Sequence, residues 1–215
     1  MTENSVRASI IRANKEEFCR LLRSTQREGI DYVIEDLEKL GFFEAPASTH
    51  FHLSQDGGLV EHSLNVCRCA MRLRETAIAM RPDLAEQLRE DSVILSALLH
   101  DVNKADIYKP TVKRRFNKLT GKTEDYATYD VDYSHFPMGH GEKSVIVLLL
   151  SGLMLRDEEM LAIRWHMAAW DLPFHSPEAR SNLNTARDLH PLCGLIQCAD
   201  TLASSVIEHT DKVEI

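Results

Sequence analysis

Glycine and proline are scarce in this chain, with 9 and 7 copies among 215 residues. That leaves few breakers for tight turns and favours helices. Long hydrophobic runs are missing as well. The longest, Val145 to Leu150, falls far short of the roughly 20 apolar residues that cross a bilayer, so no membrane partner is expected. Met1 to Ala13 is mixed and polar and lacks the apolar stretch of a secretory signal. Positive charge is in deficit, with 25 Lys and Arg against 33 Asp and Glu and a formal charge of -8. Coating a duplex needs a broad basic surface, so no duplex nucleic acid is expected as a partner. A phosphate can still be held locally where metal ions supply the positive charge. The five cysteines, Cys19, Cys67, Cys69, Cys193 and Cys198, are odd in number and match no zinc-ribbon spacing. They read as reduced thiols on helices, which suits a cytoplasmic protein.

With 44% hydrophobic and 27% charged residues, the chain has material for a real core. The length fits one large domain or two small ones. With no repeat and no linker, the reading is one domain over 1–215, with residues 1–45 forming N-terminal helices packed on it. Apolar spacing predicts helices over Lys15 to Gln26, Asp31 to Leu40 and Leu59 to Ile78, then a short one from Pro82 to about Leu88. Ser92 to Leu99 is apolar nearly all round, which predicts a buried central helix. Further helices are expected over Glu142 to Leu150, Asp157 to about Trp170 and Leu192 to His209, with a turn or two within Asn182 to Leu189. Residues 105–137 differ. Val112 to Asn117 and Tyr126 to Tyr133 are strand-like around Lys118-Leu119-Thr120-Gly121-Lys122. The fold class is therefore all-α with a small β-hairpin inserted at about 108–135.

The strongest chemical signal is Leu98-Leu99-His100-Asp101, a His-Asp pair closing an otherwise apolar helix. A buried carboxylate needs compensation, and a metal cation supplies it; the plain alternative is a solvated C-terminal cap. His62 shares the inward stripe of Leu59, Ser63, Val66 and Ala70. A lone inward histidine is usually a hydrogen-bonded core residue. Asp200, on a stripe with Ile196, Ala203 and Ile207, is harder to dismiss. His140 opens a helix in Gly139-His140-Gly141-Glu142, and His166 lies on the face of Ala162, Ile163, Ala169 and Trp170. Together these residues place imidazole and carboxylate on four or five separate helices.

The order His62, His100-Asp101, His140, His166, Asp200 resembles the HD-domain superfamily of metal-dependent phosphohydrolases. Gly57 to Leu64 is similar to a Gly-Gly-Leu-Leu-Glu-His-(Thr/Ser)-Leu segment, notably of the YhaM-type exoribonucleases, and Leu98 to Lys104 to Leu-His-Asp-Ile-Gly-Lys, with Val102 and Asn103 replacing Ile and Gly. The segment Gly-His-Gly-Glu-Lys-Ser, after an insert like 108–136, resembles uncharacterised HD proteins. The resemblance covers about residues 50 to 208 and implies an HD-domain helical bundle. It implies one metal on His62, His100, Asp101 and Asp200, and a second on His140 and His166 with Asp101 bridging.

Mixed nitrogen and oxygen ligands suit Fe, Mn, Co, Ni or Zn, with Mg as a further option. One or two such divalent ions lower the pKa of a water that attacks phosphorus. Asp101 and Lys104 are the candidate catalytic residues, Lys104 by steadying charge on a phosphate oxygen. The 5′-nucleotidase branch tends to carry Glu at that position, so Lys104 leans toward phosphodiesterase-like members. His52, with matches in the exoribonuclease-like relatives, and Arg164 are further substrate-binding candidates; His50 has less support. Lys113 and Arg115 lie in the basic arm of the hairpin, with Lys109, Arg114, Lys118 and Lys122, facing Glu124, Asp125, Asp130 and Asp132 on the return. That segment reads as a lid over a nucleotide, as a cross-strand-paired exposed ribbon, or as a dimer contact; the oligomeric state is open. The expected function is hydrolysis of a small phosphorylated substrate, a nucleotide or small phosphodiester. Two other classes stand beside it: a nucleotide-sensing metal-binding module without turnover, and a di-iron oxygenase.

Overall fold

The computed structural model describes residues 3–117, 120–173 and 175–209. Among them are eight α-helices and one two-stranded antiparallel ribbon. The helices are α1 (Glu3–Ser24), α2 (Ile30–Leu40), α3 (Gly58–Met80), α4 (Glu90–Leu99), α5 (His140–Leu150), α6 (Asp157–Trp165), α7 (Pro177–Leu189) and α8 (Pro191–Leu202). The ribbon pairs β1 (Tyr108–Asn117) with β2 (Lys122–Val131).

Helix α4 is the axis. Every residue from Ser92 to Leu99 is buried, as its all-round apolarity predicts, and α1, α3, α6 and α8 pack on it. Helix α3 lays Leu59, His62, Ser63, Val66 and Ala70 inward. At one end Phe18, Phe42 and Phe43 form an aromatic knot with ring centroids 5.2–5.6 Å apart. Their tilted and edge-on geometry is the favourable one for aromatic quadrupoles. All five cysteines are free thiols on helices.

The expected boundaries fail in instructive places. Helix α1 begins at Glu3 rather than Lys15, because its first half is anchored from outside itself. The Arg7 guanidinium donates to the Asp56 carbonyl at 2.7 Å and to Glu61 at 3.1 Å, and Ile11 packs against the bare Cα of Gly57. The segment from Pro82 is a single 3-10 turn, Pro82–Ala85, since α4 already starts at Glu90. Helix α6 stops at Trp165, not Trp170, because Ala168 takes a left-handed φ of 48° before a 3-10 turn, Ala168–Asp171. Helix α7 is a full 13 residues. Its N-cap, Ser176, accepts a hydrogen bond from Ala179 N at 3.1 Å, and Pro177 sits where a missing N–H costs nothing.

The last helix does not run unbroken to His209. After Leu202 it widens into a π turn, Ala203–Ile207, closed by Glu208 N donating to the Ala203 carbonyl at 2.9 Å. One extra residue enters the helix there, so Ile207 faces solvent and Glu208 is buried, the reverse of the expected stripe.

The strands are longer and earlier than expected, and β2 ends at Val131. Lys118 and Leu119 of the expected turn lie outside the described residues. The base of the ribbon is tied to the loop before α3. Thr128 Oγ1 donates to Thr49 O at 3.1 Å and Tyr129 Oη to Asp56 at 2.8 Å.

Candidate metal centre

Five helices meet at one point and deliver their polar residues there. Buried α3 contributes His62. The C-terminus of α4 contributes His100 and Asp101, and the 3-10 turn Val102–Ala105 that follows brings Lys104 back over Asp101, Nζ to Oδ2 2.7 Å. His140 is the first residue of α5, which sits tight on α6: a Cβ on Gly141 would lie 2.1 Å from the Arg164 carbonyl. His166 follows α6, and Asp200 projects from α8. His62, His100, Asp101 and His166 are at most 2% exposed.

The two oxygens of Asp101 face different partners. Oδ2 lies 3.6 Å from His62 Nε2 and 3.3 Å from His100 Nε2. Oδ1 lies 2.7 Å from His140 Nε2 and 3.3 Å from His166 Nε2. Asp200 Oδ1 joins the first group, 3.3 Å from His62 Nε2, and the Nε2 atoms of His62 and His100 are 3.3 Å apart. Bonds of about 2.0–2.2 Å to one ion put its ligand atoms roughly 3.0–3.5 Å from each other. The four 3.3 Å spacings match ligands that converge on an ion, the 2.7 Å contact is a direct hydrogen bond between His140 and Asp101, and Asp101 stands between the two sets.

The far side of each imidazole is fixed. His100 Nδ1 donates to Ala97 O at 2.8 Å, and His166 Nδ1 to Ile163 O at 2.7 Å. His62 Nδ1 donates to Glu208 at 3.0 Å. His140 Nδ1 lies 2.9 Å from the Asn103 amide, which offers a donor or an acceptor as the tautomer requires. Pinning one ring nitrogen turns the other inward and sets its tautomer, as the outer partners of metal-binding histidines do. The inward Nε2 of His166 is buried and has no hydrogen-bond partner, a costly state that a cation would relieve. Within the described residues, the groups His62-His100-Asp101, Asp101-His140-His166, His100-His166-Asp200 and His52-His62-Glu208 could each hold an ion.

Electrostatics agree. Burial works to raise the Asp101 and Asp200 carboxyls, but Lys104 and the histidines outweigh it at Asp101 and the histidines at Asp200, and both stay well below the usual carboxylate range. Burial lowers His62, yet hydrogen bonds to Asp200 and Glu208 prevail and lift it to about 9. An imidazole held between two carboxylates is a place for positive charge. Burial depresses His140, while for His166 the Asp101 carboxylate outweighs burial and raises it. His52 is pushed down to about 4 by burial and by its neighbour His62, and so stays neutral near pH 7.

The chain is similar to a phosphodiesterase. Over 90 residues, 42% of its length, it is 29% identical to the dihydroneopterin 2',3'-cyclic phosphate phosphodiesterase of Methanocaldococcus jannaschii. It spans about a third, 32%, of that relative's length. No family model matches the chain, and no solved structure does.

Of the remaining candidates, His52 and Lys104 line a cavity of about 230 Å³ over the cluster, together with His166 and Asp200. His52 also borders a neighbouring cavity with His50. Arg164 goes elsewhere: its guanidinium pairs with Glu142, with Asp171 at 2.8 Å, and stacks 3.9 Å from the Trp165 ring. Lys113 pairs with Asp130 at 2.6 Å and Arg115 lies over Tyr126, so both are engaged within the ribbon and neither lines that cavity. Sequence reasoning missed Glu208 and Asn103, the partners behind His62 and His140. Asn103 stands in the motif as a departure from Gly, and that departure was its available signal.

Proposed function

We propose that this chain is an HD-type, metal-dependent phosphohydrolase, one unit over its whole length, that cleaves a small phosphodiester or nucleotide with a metal-activated water. The observation that carries the reading is Asp101, buried, with each carboxylate oxygen turned to its own pair of inward imidazoles. The likeness to a cyclic phosphate phosphodiesterase supports phosphoester hydrolysis, and a diester in particular.

His62, His100, Asp101 and Asp200 would hold one divalent ion, and His140 and His166 with Asp101 a second, with Fe, Mn, Co, Ni and Zn best suited to the donor set. Such ions supply a Lewis acid and a water acidic enough to attack phosphorus near neutral pH. Lys104 contributes a fixed cation at the cavity floor. The Asp101 carboxylate overrides its burial and raises its pKa further, so the ammonium persists across the working range and faces the charge that builds on a phosphoryl oxygen. His52, neutral and lining the same cavity, offers a hydrogen bond to the ester.

The test is metal content by elemental analysis of protein purified without chelator, beside Asp101→Ala. One to two ions per chain, lost in the variant, and metal-dependent cleavage of 2',3'-cyclic nucleotides are expected. No uptake after soaking in Mn, Fe, Co, Ni or Zn overturns the reading. Product release separates hydrolysis from nucleotide sensing without turnover, and oxygen consumption separates it from an oxygenase.

A further inference from the structure

Trp170 is 89% exposed, whereas Trp165 is 8% exposed. A single exposed aromatic means little by itself. Trp170, however, lines the same cavity as Lys104, His166 and Asp200, so it borders the space above the metal cluster. Its position is also held at a cost. Ala168, at the start of the turn that carries it, keeps a φ of 48°, a conformation unfavourable for a residue with a Cβ. The turn is tied down by Asp171, which binds Arg164 at 2.8 Å, and Arg164 in turn pairs with Glu142 on α5. Backbone strain of this kind persists where the surroundings over-determine it, and it gathers at ligand sites.

The same cavity is lined by Gln197 and Thr201 on α8 and by Ser205 in the π turn. The Gln197 side-chain oxygen accepts from Arg187, which commits the oxygen and leaves its N–H groups for a ligand. Thr201 Oγ1 donates to the Gln197 carbonyl at 2.9 Å and keeps its lone pairs. An exposed indole, the Lys104 ammonium and a polar wall suit one class of molecule. That molecule has a phosphate at one end and a flat ring with polar edges at the other.

We propose that Trp170 is the stacking platform of a ring-binding subsite, and that the substrate is a phosphate ester of an alcohol carrying a nitrogen heterocycle. This rests on the phosphohydrolase reading and specifies its substrate class. Stacking of a heterocycle on an aromatic side chain changes affinity by about tenfold or more. It is sequence-tolerant, and the polar wall supplies the choice among rings.

The test uses two phosphonates whose C–P bonds hydrolysis does not cleave, methylphosphonate and an acyclic adenine phosphonate. Both are titrated into the Mn-loaded full-length protein, with calorimetry for affinity and tryptophan emission for the platform. The adenine phosphonate is expected to bind at least about tenfold tighter and to quench the exposed tryptophan. Trp170→Leu should bring it to the methylphosphonate level, remove the quenching, and leave methylphosphonate affinity and metal content unchanged. Equal affinity of the two probes in the parent, or an advantage for adenine that survives Trp170→Leu, overturns the subsite and leaves the hydrolase reading standing. Failure of both probes to bind the loaded protein overturns the subsite together with the phosphate site beneath it.

Discussion

Glu208 is the residue on which the metal-centre reading can be tested most sharply, because in that reading it acts through His62. Its carboxylate accepts from His62 Nδ1 at 3.0 Å and from Asn65 Nδ2 at 3.0 Å, and it is 6% exposed. The negative charge makes the opposite nitrogen of His62 a better electron donor and holds the ring in place. Losing such a partner costs about 10–100-fold in metal affinity, or about 1.4–2.8 kcal/mol. Glu208→Gln keeps an acceptor and loses the charge, so it belongs near the lower figure. Glu208→Ala also leaves a buried imidazole N–H without a partner and belongs near the upper one. Competition titrations of Mn and Zn against a chelator of known affinity give the ratio, and circular dichroism verifies the fold. Affinity within twofold of the parent in both variants would refute the idea that His62 is a ligand oriented by Glu208.

Other expectations follow from the same geometry. Lys104→Met should lower kcat by about 100-fold, in the range of a lost charge-stabilising group, while metal content stays at the parent level. Gly141→Ala drives a methyl group into the Arg164 carbonyl, so it should part α5 from α6 and reduce metal stoichiometry by moving His140 from His166. Glu159 is fully buried and binds Arg27 at 2.6 Å and Ser92 at 2.7 Å. Removing one member of a buried ion network costs about 3–5 kcal/mol, so Glu159→Ala should lower Tm by about 6–20 °C. For Asp91, burial works upward, but hydrogen bonds from Arg156 and Arg89 hold its carboxyl below the usual value. A depressed carboxyl stabilises the fold above its unfolded pKa of about 3.9, and that contribution is lost as pH falls through the folded value. The urea stability gap between the parent and Asp91→Asn should therefore begin to narrow below about pH 4 and vanish only below the folded value.

Much of the candidate centre can be read from helical phase. The inward stripe of α3 picks out His62, and the all-apolar α4 makes its terminal His100-Asp101 conspicuous, because both are local patterns in regular helices. What escapes is set by irregular backbone or by distant partners. Glu208 is hidden because the π turn breaks the phase on which the Asp200 stripe was extended. Arg164 is close to His166 in sequence, but two residues along a helix point to different faces, and Glu142 and Asp171 claim its charge. Trp170 reads as a continuation of α6 because nothing in Met167-Ala168-Ala169 announces a left-handed residue. The first half of α1 is held by Asp56, Gly57 and Glu61, contacts some fifty residues away that no local window contains.

The π turn also sets two demands against each other within a single helix. In an unbroken α-helix, Ile207 would follow Asp200 and Ala203 into the core and close the apolar seam. In the helix as it stands, Val206 and Ile207 are 62% and 59% exposed while a carboxylate takes the inner position. The wet isoleucine is thus the counterpart of the anchored His62. Regularising the turn at full length would restore the seam and carry Glu208 off its histidine, whereas deleting one residue between 203 and 207 would remove the bulge and leave Glu208 in phase with His62. A search for greater thermal stability would drift toward the unbroken helix, and selection for chemistry would hold the bulged one.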